Sequence, residues 1–107
     1  MKAQTQTVTA NGATPVLGAW MPVDLKASQF QIGFGVTVTG TITYTVQHTY
    51  DNPQLVVSPT PWDHTVVAAK SAAAEGSYSS PVTAIRLKTT AGTGTATIIM
   101  IQAGPNG

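Results

Sequence analysis

The sequence predicts an all-β fold: a single-domain antiparallel β-sandwich of jelly-roll-like type, with a small open barrel as the alternative. Three observations predict it. The 107 residues suffice for one domain and one core. From Phe30 to Tyr50 the even positions are Phe30, Ile32, Phe34, Val36, Val38, Gly40, Ile42, Tyr44, Val46, His48 and Tyr50, while the odd positions from Thr37 to Thr49 are threonine apart from Gln47. Such a period of two turns one face of a strand to a core and the other to solvent or a partner. Glycine and proline divide the remainder into short runs, none with a sustained helical period.

Taken in order, residues 1–14 are polar with weak alternation at Val8 and Ala10, and read as a flexible arm or an edge strand. Pro15 to Pro22 carries Val16, Leu17, Trp20 and Met21, and its prolines exclude a helix interior or central strand. As one strand, the run from Phe30 to Tyr50 would be about 70 Å long at ~3.3 Å per residue, so the chain must turn inside it. Gly40 or the Gly33–Gly35 pair is the expected site, dividing the run into two antiparallel strands at 28–37 and 41–50. Asp51-Asn52-Pro53 ends the second by turn chemistry. In the long connection that follows, Leu55-Val56-Val57 is expected as a short strand and Ser58-Pro59-Thr60-Pro61 as a rigid loop. The alanine-rich stretch from Val66 to Glu75 is expected to hold a helical turn or two. After Pro81, Thr83, Ile85 and Leu87 alternate with Ala84, Arg86 and Lys88 as another strand. Gly92-Thr93-Gly94 is expected as a hairpin turn. Thr95 to Gln102 is the last strand, and its apolar middle, Ile98-Ile99-Met100-Ile101, predicts burial on both faces. The expected domain spans 15–103, with 104–107 as a tail.

Composition narrows the function. Charged residues make up 8% of the chain, against about 25% in typical domains, which suggests a surface partly covered by neighbours. The net charge of +1 leaves no basic footprint for nucleic acid. No apolar run approaches the ~20 residues of a membrane-spanning helix. With no cysteine, disulfides and thiolate metal sites are excluded. Asp24, Asp51, Asp63 and Glu75 are the only acids, and His48 and His64 the only histidines. A Ser58, His64 and Asp51 triad lacks a nucleophile elbow. A metal set of His48, Asp51, Asp63 and His64 is weaker than the use of those residues in turns. Gly92-Thr93-Gly94 lacks the lysine and helix start of a phosphate loop. No enzyme activity and no cofactor are therefore expected. Trp20 and Trp62 sit in proline-bearing loops, either plugging the ends of the sandwich or serving as contact anchors. The threonine face of 37–49 is a flat, uncharged surface suited to packing on another subunit.

One resemblance adds to this. Thr43-Tyr44-Thr45-Val46-Gln47-His48-Thr49-Tyr50-Asp51-Asn52-Pro53, then Trp62 and His64, then Pro81-Val82-Thr83-Ala84-Ile85-Arg86-Leu87 and the closing Gly94-Thr95-Ala96-Thr97, resemble small virion structural proteins of tailed bacteriophages, of the capsid decoration or cement type. The likeness spans about residues 28–102 and rests on strand patterning. It implies a component of the capsid surface, made in the host cytoplasm, whose partners are the major capsid protein and further copies of itself as a homodimer or homotrimer. Trp20, Met21, Trp62, His64, Tyr78 and Arg86 are the expected contact residues. The alternatives are a neck or tail component, or a carbohydrate-binding module for host adsorption using Trp62, Asp63, His64 and Tyr78.

Overall fold

The computed structural model describes residues 2–23, 31–53, 55–79 and 81–103. Among them are nine strands and no helix: β1 (Lys2–Thr9), β2 (Val16–Leu17), β3 (Met21–Pro22), β4 (Gln31–Thr39), β5 (Ile42–Thr49), β6 (Trp62–Asp63), β7 (Ala74–Tyr78), β8 (Ala84–Gly92) and β9 (Thr95–Ala103). They make an antiparallel β-sandwich. One sheet has the order β1-β9-β4-β7, and the other β2-β8-β5-β6 with β3 also on β8.

The alternating run does turn at Gly40, where φ is +74°. It does not form a hairpin. β4 pairs with β9 and β7, and β5 with β8 and β6, so the chain passes from one sheet to the other at this corner. Gly92-Thr93-Gly94 is likewise a corner between sheets, not the expected hairpin turn, with Gly92 at φ +95°. The two corners stack: the N–H groups of Thr93 and Gly94 both donate to the Thr41 carbonyl, at 2.9 and 2.8 Å. The segment β4–β5 thus runs antiparallel to β8–β9 along its length, as one ribbon folded over on itself. The physical reason lies in parity. Across a two-residue hairpin loop, positions 39 and 42 would share a face, so apolar residues would switch from even to odd. They stay even, because a folded ribbon keeps one side inward on both arms.

That inner side is the core. Ile32, Phe34 and Val36 of β4 meet Ile42, Tyr44 and Val46 of β5, Ile85 and Leu87 of β8, and Ala96, Ile98 and Met100 of β9. Each large aliphatic so buried contributes about 1.5–3 kcal/mol relative to exposure. The Tyr44 hydroxyl donates to the Ala72 carbonyl at 2.7 Å.

Lys2–Thr9 is an edge strand paired with β9 over its whole length, so the sandwich begins at residue 2, not 15. Its inward glutamines tie the two sheets together. Gln4 Nε2 donates to the Pro22 carbonyl at 2.6 Å. Gln6 Nε2 donates to the Ala19 carbonyl, and Gln6 Oε1 accepts the Leu87 N–H at 2.9 Å.

The connection departs from expectation. Leu55-Val56-Val57 is not a strand; it is an exposed loop, with Leu55 82% and Val57 fully exposed. Val66 to Glu75 is not helical. Its first part lies along the edge of β5, where Val46 N–H donates to the Val67 carbonyl at 3.0 Å, and Tyr44 and Lys70 exchange backbone bonds of 2.8 and 2.9 Å. Pairing with β5 satisfies its backbone more fully than a single isolated helical turn would. Ala69, at φ 51°, donates its N–H to Thr45 Oγ1 at 2.9 Å. Thr45, Gln47 and Thr49 are consequently buried, so the threonine face is open only on the β4 arm. The last strand is buried on one face alone, for Ile99 and Ile101 stand outward, 48% and 43% exposed. Nothing among the described residues packs over that side of the sheet. Phe30, the start of the expected 28–37 strand and the 104–107 tail lie outside the described residues.

Candidate functional site

Two surfaces stand out. The first is an open pocket of about 370 Å³ lined by His48, Tyr50, Trp62, Asp63, His64, Thr65, Ser77, Tyr78, Ser79 and Val82. Sheet pairing assembles it. β6 lies on the end of β5, placing Trp62 opposite His48 and Asp63 opposite Gln47. β7 pairs with β4 through Tyr78 opposite Ile32. Five rings and Phe34 then interlock edge to face. The His64–Tyr78 centroids are 4.9 Å apart, His48–Tyr78 5.0 Å, Phe34–His64 5.2 Å and His48–Tyr50 5.3 Å. Contacts of this geometry add about 0.5–1.5 kcal/mol each beyond area burial.

The floor is packed and most of its polar atoms are paired. His64 Nδ1 accepts the N–H groups of Val66 and Val67 at 3.1 and 3.0 Å. That acceptor role makes Nε2 the donor, and it reaches the Ser77 carbonyl at 3.1 Å. His64 therefore holds the loop in place by bonding backbone groups through both ring nitrogens. Burial, reinforced by the charges of Tyr50 and Asp63, pushes the Tyr78 phenol far above its ordinary range. It stays protonated and shares a hydrogen bond of 2.9 Å with His48 Nδ1. Burial, then the neighbouring His64, pulls His48 below its ordinary value, with Asp63 opposing.

The rim is different. Tyr50 and Trp62 meet at 6.1 Å between centroids, yet are 57% and 54% exposed. Asp63 stands beside them, its Oδ1 accepting Gln47 Nε2 at 2.8 Å. Gln47 Oε1 in turn accepts Arg86 Nε at 2.9 Å, and the Arg86 guanidinium lies 4.1 Å over the Trp20 ring. A polar strip thus crosses from β6 over β5 to β8. Burial lowers the Arg86 pKa from its ordinary value.

The structure brings together Trp62, Asp63, His64 and Tyr78. Trp20 and Arg86 form a separate pair at the far end of the strip. Met21 is not a contact residue: it pairs with Ile85 on β8 and is buried in the core. His64 and Tyr78 are buried as well and form the floor, not an open contact face. His48 and Tyr50 belong to the pocket but were not among the expected contact residues. The visible signal was their place at the end of the alternating run, beside the turn that admits β6. The Ser58, His64, Asp51 triad does not form, since His64 is spent on backbone groups and Asp51 Oδ2 accepts the Thr60 N–H at 2.8 Å. Among the described residues, no group of three or more histidine or carboxylate side chains is placed to hold a metal.

The second surface is the outer face of the sheet β1-β9-β4-β7. In register across it lie Ala3, Ile101, Gly33 and Ser77, then Thr5, Ile99, Gly35 and Glu75, then Thr7, Thr97 and Thr37. Thr7 and Thr97 share a hydroxyl hydrogen bond of 3.0 Å. Glu75 is the one charge among these residues. Gly33 and Gly35 leave a furrow: a Cβ added to either would meet nothing within 4 Å. Shallow depressions of about 370 and 350 Å³ follow it, beside Ile101 and Ile99.

No protein-family model matches the chain, and no curated protein does either. Among solved structures, a chain of Bacillus endospore appendages, a family of disulfide-linked pili, is similar with a TM-score of 0.46 and 16% identity over 96% of this chain and 87% of that one. A chain from the infectious bursal disease virus Gx strain is similar with a TM-score of 0.35 and 14% identity, over 97% of this chain and 33% of that one. At these scores the likenesses carry no argument about what the chain does, and this chain has no cysteine with which to form a disulfide.

Proposed function

We propose that the chain is a non-enzymatic structural subunit of a virion surface, a decoration protein that docks on the major capsid protein and on copies of itself. One observation carries the reading: the outer face of β1-β9-β4-β7 is uncharged but for Glu75 and set with two half-exposed isoleucines. Burial of that face against a partner removes apolar surface and involves a single charge, Glu75. The strand order β1-β9-β4-β7 against β2-β8-β5-β6 supports a jelly-roll reading of the sandwich, an architecture of capsid and lectin domains. The residues with chemistry to offer support a non-catalytic role, because both histidines bond within the fold.

Area sets the mode of binding. With strands ~4.8 Å apart and ~3.3 Å per residue, the face presents roughly 500 Å², short of the about 800 Å² per partner in a standard interface. One contact is therefore weak, and attachment depends on several made at once. The exposed apolar loop at Leu55–Val57 adds to it. Quantitative mass spectrometry of purified virions tests the reading. Hundreds of copies per particle, with stoichiometric binding to empty expanded capsids, is the expected result. A dozen copies or fewer would move the chain to the neck or tail, and absence from particles would overturn the virion reading.

A further inference from the structure

We infer that the end pocket is a binding site for a neutral sugar ring, stacked on Trp62 and held through Asp63. The inference is independent of the sheet face and of what docks there. It starts from the contrast between floor and rim. Phe34, His48, His64 and Tyr78 are buried, and His48 Nδ1, the Tyr78 hydroxyl and both ring nitrogens of His64 are paired within the protein. Packing explains them. It does not explain Tyr50 and Trp62, which leave more than half their surface in water at the mouth of a pocket. Both rings are fixed at one edge, Tyr50 by His48 and Trp62 by Tyr50. Rings held in advance lose little freedom when a ligand stacks on them.

The lining selects the ligand class. It contains one carboxylate, on Asp63, and no lysine or arginine. An anionic sugar or a phosphate would meet a like charge and no counter-charge. Asp63 lines the pocket with its Oδ1 anchored by Gln47, itself held by Arg86, which leaves Oδ2 as the carboxylate's remaining acceptor for a ligand hydroxyl. Thr65, Ser77 and Ser79 line the same opening, and a hydroxyl both donates and accepts. A pyranose matches that mixture: its C–H face lies on an indole, and its hydroxyls exchange hydrogen bonds with the carboxylate and the serines. A quaternary ammonium would use the rings and the carboxylate but leave the hydroxyls without partners. The volume, about 370 Å³, lies at the low end for small-molecule sites and suits one ring. A single ring so held has a dissociation constant on the order of a millimolar, and a surface carrying many copies would multiply it by avidity.

The test is a ¹H–¹⁵N titration of the full chain with methyl glycosides of neutral hexoses and N-acetylhexosamines, and in parallel with choline and sialic acid. Saturable shifts on the Trp62 indole N–H and the Asp63 and Ser79 amides, for at least one neutral glycoside, are expected. Trp62→Ala should abolish them and Asp63→Asn should weaken them at least tenfold. Trp62 is exposed, so the variant keeps the fold, which the dispersion of its own spectrum verifies. Ile99→Lys, on the other surface, should leave sugar shifts unchanged, which separates this inference from the docking role. Shifts with choline or sialic acid alone, shifts that survive Trp62→Ala, or none with any neutral glycoside up to tens of millimolar would overturn it.

Discussion

The same substitution meets opposite surroundings at Gly92 and Gly33. At Gly92, φ is +95° and an added Cβ would collide with the Thr41 carbonyl and Ile42 of the facing corner. At Gly33 it would point into the open furrow of the outer face. Gly92→Ala should therefore cost about 2 kcal/mol or more. Gly33→Ala should be neutral, or stabilise by up to about 1 kcal/mol through the unfolded chain. Urea unfolding of the pair checks this, and equal losses at both would refute the stacked corners. His48 makes a second prediction at this scale. Its folded pKa lies below the ordinary 6.5, so below that pH the unfolded chain takes up a proton the folded chain resists. Stability is then complete above about pH 6.5 and declines as the pH falls toward the folded pKa. His48→Gln, which can still bond the Tyr78 hydroxyl, should flatten part of that decline below about pH 6.5. Identical unfolding midpoints against pH in both proteins would argue against it.

Among the elements, β1 is the most informative. As a loose arm it would be dispensable; as a strand it supplies a whole edge of one sheet and, through Gln6, a bond to the other. Gln6→Ala orphans the Leu87 N–H and the Ala19 carbonyl and should cost about 1–3 kcal/mol. Thr5→Ala, one residue away on the outer face, should change stability by less than about 0.5 kcal/mol. Chemical denaturation decides between them. The distinction was half legible in the sequence: Val8 and Ala10 marked an inward side, but Gln4 and Gln6 on that side read as solvated. Only the approach of Gly18 and Ala19 from the other sheet makes them interior.

For the whole molecule, the question is which surface meets a partner. Ile99 and Ile101 sit centrally on the uncharged face, and lysine at either leaves the core untouched, since both point away from it. Ile99→Lys and Ile101→Lys should keep the wild-type unfolding midpoint while weakening self-association and capsid binding. At a desolvated interface centre the loss should be about 2 kcal/mol, some thirtyfold. Sedimentation velocity across a concentration series measures it. Unaltered association in both variants would remove this face from consideration. The candidate pocket was legible in its residues, Trp62, Asp63, His64 and Tyr78, but not as one place. Ser77, whose carbonyl His64 binds, lies thirteen positions further on, across the irregular segment 65–73 and inside β7, and no local pattern encodes that closure.

What the sequence determined by itself is local in origin. The period of two set which side of each strand turns inward, and it survived the corner at Gly40 because a folded ribbon preserves parity. The near absence of charge set the character of the surface, and glycine and proline marked the turns. Only the tertiary structure decided that β4 and β5 belong to opposite sheets, that Met21 is core, and that the outer side is open at Ile99 and Ile101 but covered at Thr45 and Thr49. A side chain's alternation is written in its own neighbours. Which strand it pairs with, and what then covers its outer face, depends on backbone bonds between segments up to a whole chain apart, and those bonds are nearly blind to side-chain identity.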